Sequence, residues 1–350
     1  MEGGKISQIK NFQSVKSKKK IYLGIEILRM FLSFFIVVVH FFNKKYARTR
    51  LLLFPFNALC YYIPTFLIIS FYFNYKTFSS RNINKIKERF LRILIPYYIW
   101  PTIFLIRYYI FNYLNGFILI SKLKNLYYQY LIGDSFHGVF WFQFNLILIS
   151  LLLSIIIFLF KKFNLLVIIL IGILMCIFEF SGCKFQFFSK YNDIILHTVM
   201  KLSSSFIYSI SGFVLGFFNI FDYLSKSRIK VISILLFSLY FIIKSRNLFF
   251  IKYDIIKIDF VSIGLFLIFA LFPFDIIKYN FIISIIKQTT SYTGGVYYLH
   301  PEIHKIFQYN LKPMKYRKLM GCIVNYLFCY IICFFGSKTF KESKLKYLFI

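Results

Sequence analysis

Apolar residues in this chain gather in blocks of about 15 to 23, and that length restricts the fold more than any other feature. About 20 residues rising 1.5 Å each cross a hydrocarbon core roughly 30 Å thick. A soluble chain of 350 residues carries shorter, amphipathic stripes instead. Composition agrees, with 59% of the residues apolar and only 16% charged. The expected fold class is an all-α, polytopic integral membrane helix bundle.

About ten transmembrane helices are expected, at 21–42, 51–73, 93–114, 139–160, 163–180, 202–221, 229–245, 257–274, 289–308 and 319–336. Residues 1–20 read as a basic cytoplasmic tail, 21–336 as one transmembrane domain and 337–350 as a second basic cytoplasmic tail. An even number of crossings puts both termini on one side. The two strongest basic segments, "KSKKK" before the first span and "RNINKIKERFLR" at 81–92, share that side. The positive-inside rule makes it the cytoplasm. The expected location is therefore a cell membrane, plasma or bacterial inner, with a multi-pass chain.

The first apolar run is long enough to span, carries charges and has no small-x-small cleavage site, so it reads as a retained helix. Net charge is +31, but the basic residues sit in short juxtamembrane loops, where anionic lipid head groups attract them. Membrane lipids are the expected partner, and nucleic acid is not. Cys60, Cys176, Cys183, Cys322, Cys329 and Cys333 contain no C-x-x-C pair and mostly lie in apolar stretches. They read as small hydrophobes, neither a disulfide framework nor a metal site.

Within the first span, "EILRMFLSFFIVVVH" (26–40) sets Glu26, Arg29 and His40 into an otherwise lipid-compatible run. Arg29 and His40 are eleven residues apart, a net rotation of about 20° with a rise of about 16 Å, so they share a face at different depths. Glu26 is three positions before Arg29, within pairing range on the helix surface. An intramembrane Arg belongs toward the protein interior or a wet cavity. Two readings fit. In one, Glu26 and Arg29 are a structural pair and His40 caps the helix at the interface. In the other, a cavity runs along this face, with a cation for an anionic ligand and an imidazole suited to proton transfer.

The same stretch resembles the first helix of the type-3 membrane acyltransferases, whose pattern is an acid, two residues, an Arg, ten residues and a His. Glu26, Arg29 and His40 fall on it. Other segments are similar in the family's order. "YIPTFLIISFYF" (62–73) resembles a helix ending in Ser-Gly; Ser70 matches, but Phe71 stands where Gly is usual, which puts close helix packing there in question. "KIKERFLRILIPYYIW" (85–100) resembles the basic approach to the third helix, with Arg89 and Arg92 ahead of Pro96. "GVFWFQFNLIL" (138–148) resembles a Trp-Phe helix start on Trp141 and Phe142. "ISGFVLGFF" (210–218) is similar to a Gly-spaced helix, and "TSYTGGVYYLHPEI" (290–303) to a late segment ending in His-Pro.

The resemblance implies transfer of an acyl group, usually acetyl from acetyl-CoA, to a hydroxyl of a surface carbohydrate or glycolipid. It implies catalytic roles for His40, Arg29 and Glu26, with His40 as general base. Arg29, Arg89 and Arg92 are then expected at the phosphates of a cytoplasmic acyl-CoA, and Ser70, Trp141 and His300 toward the acceptor. Arginine suits multidentate phosphate pairing; for Arg89 and Arg92, topology signalling and lipid contact is the other reading. Arg107 lies in mid-span on the third helix and needs a partner. "HPEIH" puts His300 and His304 four apart, a zinc-compatible spacing, but Pro301 and the absence of an obvious third ligand argue for a structural or substrate-facing role. No metal is expected. His137 and His197 read as loop residues. A different class stays open: a polysaccharide or lipid-linked sugar exporter or flippase, which intramembrane charges and many aromatics also suit.

Overall fold

The computed structural model describes residues 23–41, 50–114, 140–160, 164–182, 193–224, 255–271, 279–310 and 315–350, with the single positions Ile232 and Leu236. Its elements are α1 (Leu23–Phe41), α2 (Arg50–Ser79), α3 (Ile83–Leu114), α4 (Phe140–Leu159), α5 (Asn164–Gly182), α6 (Asp193–Phe217), α7 (Ile220–Leu224), α8 (Ile255–Leu271), α9 (Asn280–Ser291), α10 (Thr293–Asn310) and α11 (Lys315–Thr339). A 3-10 turn at Lys344–Leu348 follows. The fold is all-α among the described residues, as expected. The predicted span at 229–245 lies outside them apart from the two single positions.

Among the described residues, Ile83–Arg107, Phe140–Leu159 and Met320–Thr339 are long and apolar enough to cross a membrane, and Asn164–Phe178 and Ile258–Leu271 are shorter apolar helices. Their outer faces are apolar as well. Leu166, Leu170, Ile173, Leu174 and Ile177 form an exposed row along α5, and Val324, Leu327, Phe328, Ile331 and Phe335 form another on α11. Contiguous apolar belts of this kind are unfavourable against water and match a lipid solvent. This is a membrane protein.

Neighbouring contacts set the helix directions. α1 and α10 run the same way, because Arg29 meets Thr293 and His40 meets His300. α2 and α6 are also co-directional, with Gly212 against Ile68 and Gly216 against Tyr72 and Tyr75. Phe71 does not hold these helices apart. It is fully buried, stacked on Phe78 with ring centroids 6.3 Å apart. The glycines that permit close approach stand on α6 instead, where a Cβ at Gly212 would strike the Ile68 backbone.

The span expected at 289–308 is divided between α9 and α10 at Tyr292, whose backbone N–H is shared between the Thr289 and Thr290 carbonyls. The Thr290 hydroxyl donates to the Ile286 and Lys287 carbonyls, both at 3.0 Å, and such back-bonding competes with a regular helix. After α11 the chain turns back. The Trp100 indole N–H donates to the Leu348 carbonyl at 3.0 Å, and Phe349 stacks on Phe340 with centroids 5.9 Å apart. Gly295 and Gly336 leave the room that Phe349 occupies.

Candidate active site

One face of α1 carries every polar residue singled out in its sequence. Arg29 Nη1 donates to Glu26 Oε2 at 3.2 Å, and Nη2 donates to the Thr293 hydroxyl of α10 at the same distance. One turn further, the Ser33 hydroxyl donates to the Met30 carbonyl at 2.9 Å and lies 3.0 Å from the Tyr326 hydroxyl of α11. At the far end the His40 ring centroid is 4.9 Å from that of His300. The shared face computed from an eleven-residue spacing is thus the face that meets α10.

His300 is fully buried and His40 is exposed. His300 Nδ1 lies 3.2 Å from the Val296 carbonyl one turn back on its own helix. A carbonyl only accepts, so Nδ1 carries the proton of the neutral ring and Nε2 keeps the lone pair. Pro301 has no N–H, so the Tyr297 carbonyl has lost its helical donor. The His300 ring interacts with that carbonyl too. From α11, Asn325 Nδ2 donates to the His300 carbonyl at 3.2 Å, and Asn325 Oδ1 accepts from the Cys329 thiol at 3.2 Å. His300 is therefore held from two helices, with the Tyr297 ring 6.1 Å away.

Beyond His300, Glu302 pairs with Arg107 of α3 and with Lys305 at 3.4 Å. Arg107, expected in mid-span, is the last residue of the Ile83–Arg107 segment, and it has a charged partner there. Among the described residues no cluster of three His, Cys, Asp or Glu able to hold a metal forms.

The other expected site residues lie elsewhere. Arg89 Nη2 donates to the Ser70 hydroxyl at 2.9 Å, and its guanidinium lies over Phe71 and Phe78, 6.0 and 5.9 Å from their centroids. Arg92 pairs with Glu88 at 2.5 Å and lies over Tyr347 at 5.6 Å. Ser70 thus joins the arginines of the α2–α3 corner rather than the histidines. Trp141, at the start of α4, receives the Lys201 ammonium 5.1 Å above its ring. Its neighbour Phe142 faces Tyr297 at 5.6 Å, which links α4 to the histidine neighbourhood. His197 belongs to α6 instead of a loop, and His137 lies outside the described residues.

Sequence reasoning missed Thr293 and Asn325, because a lone Thr or Asn on an apolar helix gives no signal without its partner. It also passed over Asp259 in α8, which accepts from the Ser211 hydroxyl of α6 at 2.5 Å. An acid inside an apolar run was a sufficient signal there.

A family model described as an acyltransferase domain, that of acyltransferase family 3, matches residues 22–341. The chain belongs to this family. No curated protein and no solved structure matches it significantly. The family match runs from the start of α1 past the end of α11, so the histidine pair, the Arg29 cluster and the α2–α3 arginines all lie inside the acyltransferase domain. The protein is a membrane O-acyltransferase.

Proposed function

We propose that this acyltransferase moves an acyl group, acetyl by the family resemblance, from a cytoplasmic acyl-CoA to a hydroxyl of a surface glycan or glycolipid. His40 is the general base. The observation that carries this reading is the exposed His40 imidazole at the end of a polar face, backed by the buried His300 ring 4.9 Å away.

A sugar hydroxyl is a poor nucleophile at neutral pH. His40 takes its proton as the oxygen attacks the thioester carbonyl, forming a C–O bond and a tetrahedral oxyanion. Collapse of that intermediate breaks the C–S bond. The imidazolium returns its proton to the departing CoA thiolate, leaving an ester, free CoA and neutral His40. Arg29, held by Glu26 and Thr293, supplies a fixed positive charge on the same face, about 16 Å along the helix from His40, for an anionic part of the donor. Arg89 and Arg92 supply cationic groups for the CoA phosphates.

The basic segments argue for a cytoplasmic α2–α3 corner and a His40 end directed outward. The shared direction of α1 and α10, the first and ninth expected spans, supports that alternation. Purified protein with acetyl-CoA and a glycan acceptor provides the test. Release of free CoA that depends on acceptor, abolished in His40→Ala at unchanged thermal stability, is expected. Full activity in His40→Ala, or acceptor movement across liposomes without any acyl-CoA consumption, rejects it.

A further inference from the structure

The histidine of the late His-Pro segment was expected to face the acceptor, yet the structure buries it completely while leaving His40 exposed. A residue without surface cannot bind a glycan directly. Its chemistry is fixed by three contacts. The Val296 carbonyl consumes the Nδ1 proton, Pro301 leaves the Tyr297 carbonyl available to the same ring, and Asn325 ties the His300 backbone to α11. What remains is Nε2, a buried lone pair that has no hydrogen-bond partner on this ring among the described residues. An unsatisfied buried acceptor is costly unless something donates to it. The nearest ring is that of the exposed His40, with centroids 4.9 Å apart and planes tilted by 52°; the two rings are not hydrogen-bonded in this arrangement, and a turn of the His40 side chain is what would aim one of its nitrogens at Nε2.

We infer that His300 is a positioning residue for His40: when the exposed His40 ring turns toward it, His300 Nε2 accepts the N–H of the His40 imidazole and so makes the opposite nitrogen of His40 the basic one. This rests on the reading of His40 as general base and deepens it. One ring nitrogen of an imidazole is set by the hydrogen bond that the other makes. Without a fixed acceptor, His40 distributes its proton between both nitrogens and loses orientation, and the productive tautomer is no longer enforced. A neutral imidazole does this work where a carboxylate is commoner, and it brings no extra buried charge into the bundle. His-Pro is then one device: Pro301 frees a carbonyl, the carbonyls hold Nδ1–H, and the fixed tautomer presents Nε2.

The test separates Nε2 from the rest of the ring. Glutamine reaches about as far as Nε2 and carries an acceptor oxygen there; asparagine ends near Nδ1. In the full-length protein, His300→Asn is expected to lower kcat about 100-fold with KM for acetyl-CoA unchanged, and His300→Gln to recover to within about tenfold of the parent. A second readout needs no turnover. Carbethoxylation of His40 by diethyl pyrocarbonate, mapped by mass spectrometry with His197 on α6 as internal reference, is expected to slow at least about threefold in His300→Asn and to recover in His300→Gln, because donation to Nε2 raises the basicity of the opposite nitrogen. Equal His40 reactivity in the parent, the Asn variant and the Gln variant overturns the inference whatever the activity. If reactivity follows the expected order while His40→Ala still transfers acyl groups, the hydrogen-bonded pair stands and the general-base role falls.

Discussion

Arg107 of α3 pairs with Glu302 of α10, two residues beyond His300, and ties the third helix to the helix that carries the buried imidazole. The two side chains are unequally placed: 51% of Arg107 is exposed against 11% of Glu302. Glu302 also has Lys305 within 3.4 Å, so its carboxylate bridges two cations. The charge that most needs its partner is the buried one.

Glu302→Ala is expected to destabilise the protein more than Arg107→Ala, since Lys305 still serves Glu302 when Arg107 is gone. A double-mutant cycle followed by thermal melting in detergent should return a coupling between about 0.5 and 3 kcal/mol. Additivity of the two substitutions sinks this account of α10.

Substitution at glycine separates backbone approach from side-chain approach. A Cβ at Gly212 meets the Ile68 carbonyl oxygen and, at 2.8 Å, its Cα, which belong to a rigid helix. A Cβ at Gly172 meets the Cδ1 tip of Ile210 at 2.6 Å, and a tip can rotate away. Gly212→Ala should therefore cost about 1–3 kcal/mol, and Gly172→Ala much less. Comparable melting temperatures for both would mean that α2 and α6 are not limited by this contact.

The parts of this arrangement legible in the sequence are those with a period. Apolar blocks declared helices in lipid, and an eleven-residue spacing aligned Arg29 with His40, because both follow from the geometry of one helix. The missing parts need two helices at once. Thr293 as a partner of Arg29, Glu302 as a partner of Arg107, and His300 beside His40 each depend on how α10 is rotated against its neighbours. The break at Tyr292, beside the back-bonded Thr290 hydroxyl, is equally invisible to a count of apolar residues. Phe71 illustrates the converse error: a missing glycine on one helix was compensated by Gly212 and Gly216 on the other.

Trp100 and Leu348 connect the third helix to the returning carboxyl-terminal segment through one buried hydrogen bond. Trp100→Phe keeps most of the ring and removes the N–H. It should cost about 1–3 kcal/mol through the carbonyl left behind, and hydrogen exchange at 344–350 should accelerate while α1 and α10 stay protected. Uniform acceleration across the bundle would show that the segment is not a separate unit.

The α2–α3 arginines make different demands on a donor experiment. Arg89 is engaged by Ser70 and by two aromatic faces, so Arg89→Ala disturbs packing as well as charge. Arg92 is 59% exposed and bonded to Glu88, so its removal leaves the core alone and is the cleaner probe of phosphate binding. If Arg92 meets a CoA phosphate, Arg92→Ala should raise KM for acetyl-CoA about tenfold with kcat held, the signature of lost uniform binding. Pairing the variant with acetyl-3′-dephospho-CoA names the phosphate: when that group is the partner, parent and variant use the shortened donor with equal KM. A tenfold gap that persists with the shortened donor assigns Arg92 to the pyrophosphate, and an unchanged KM with both donors removes it from the donor site.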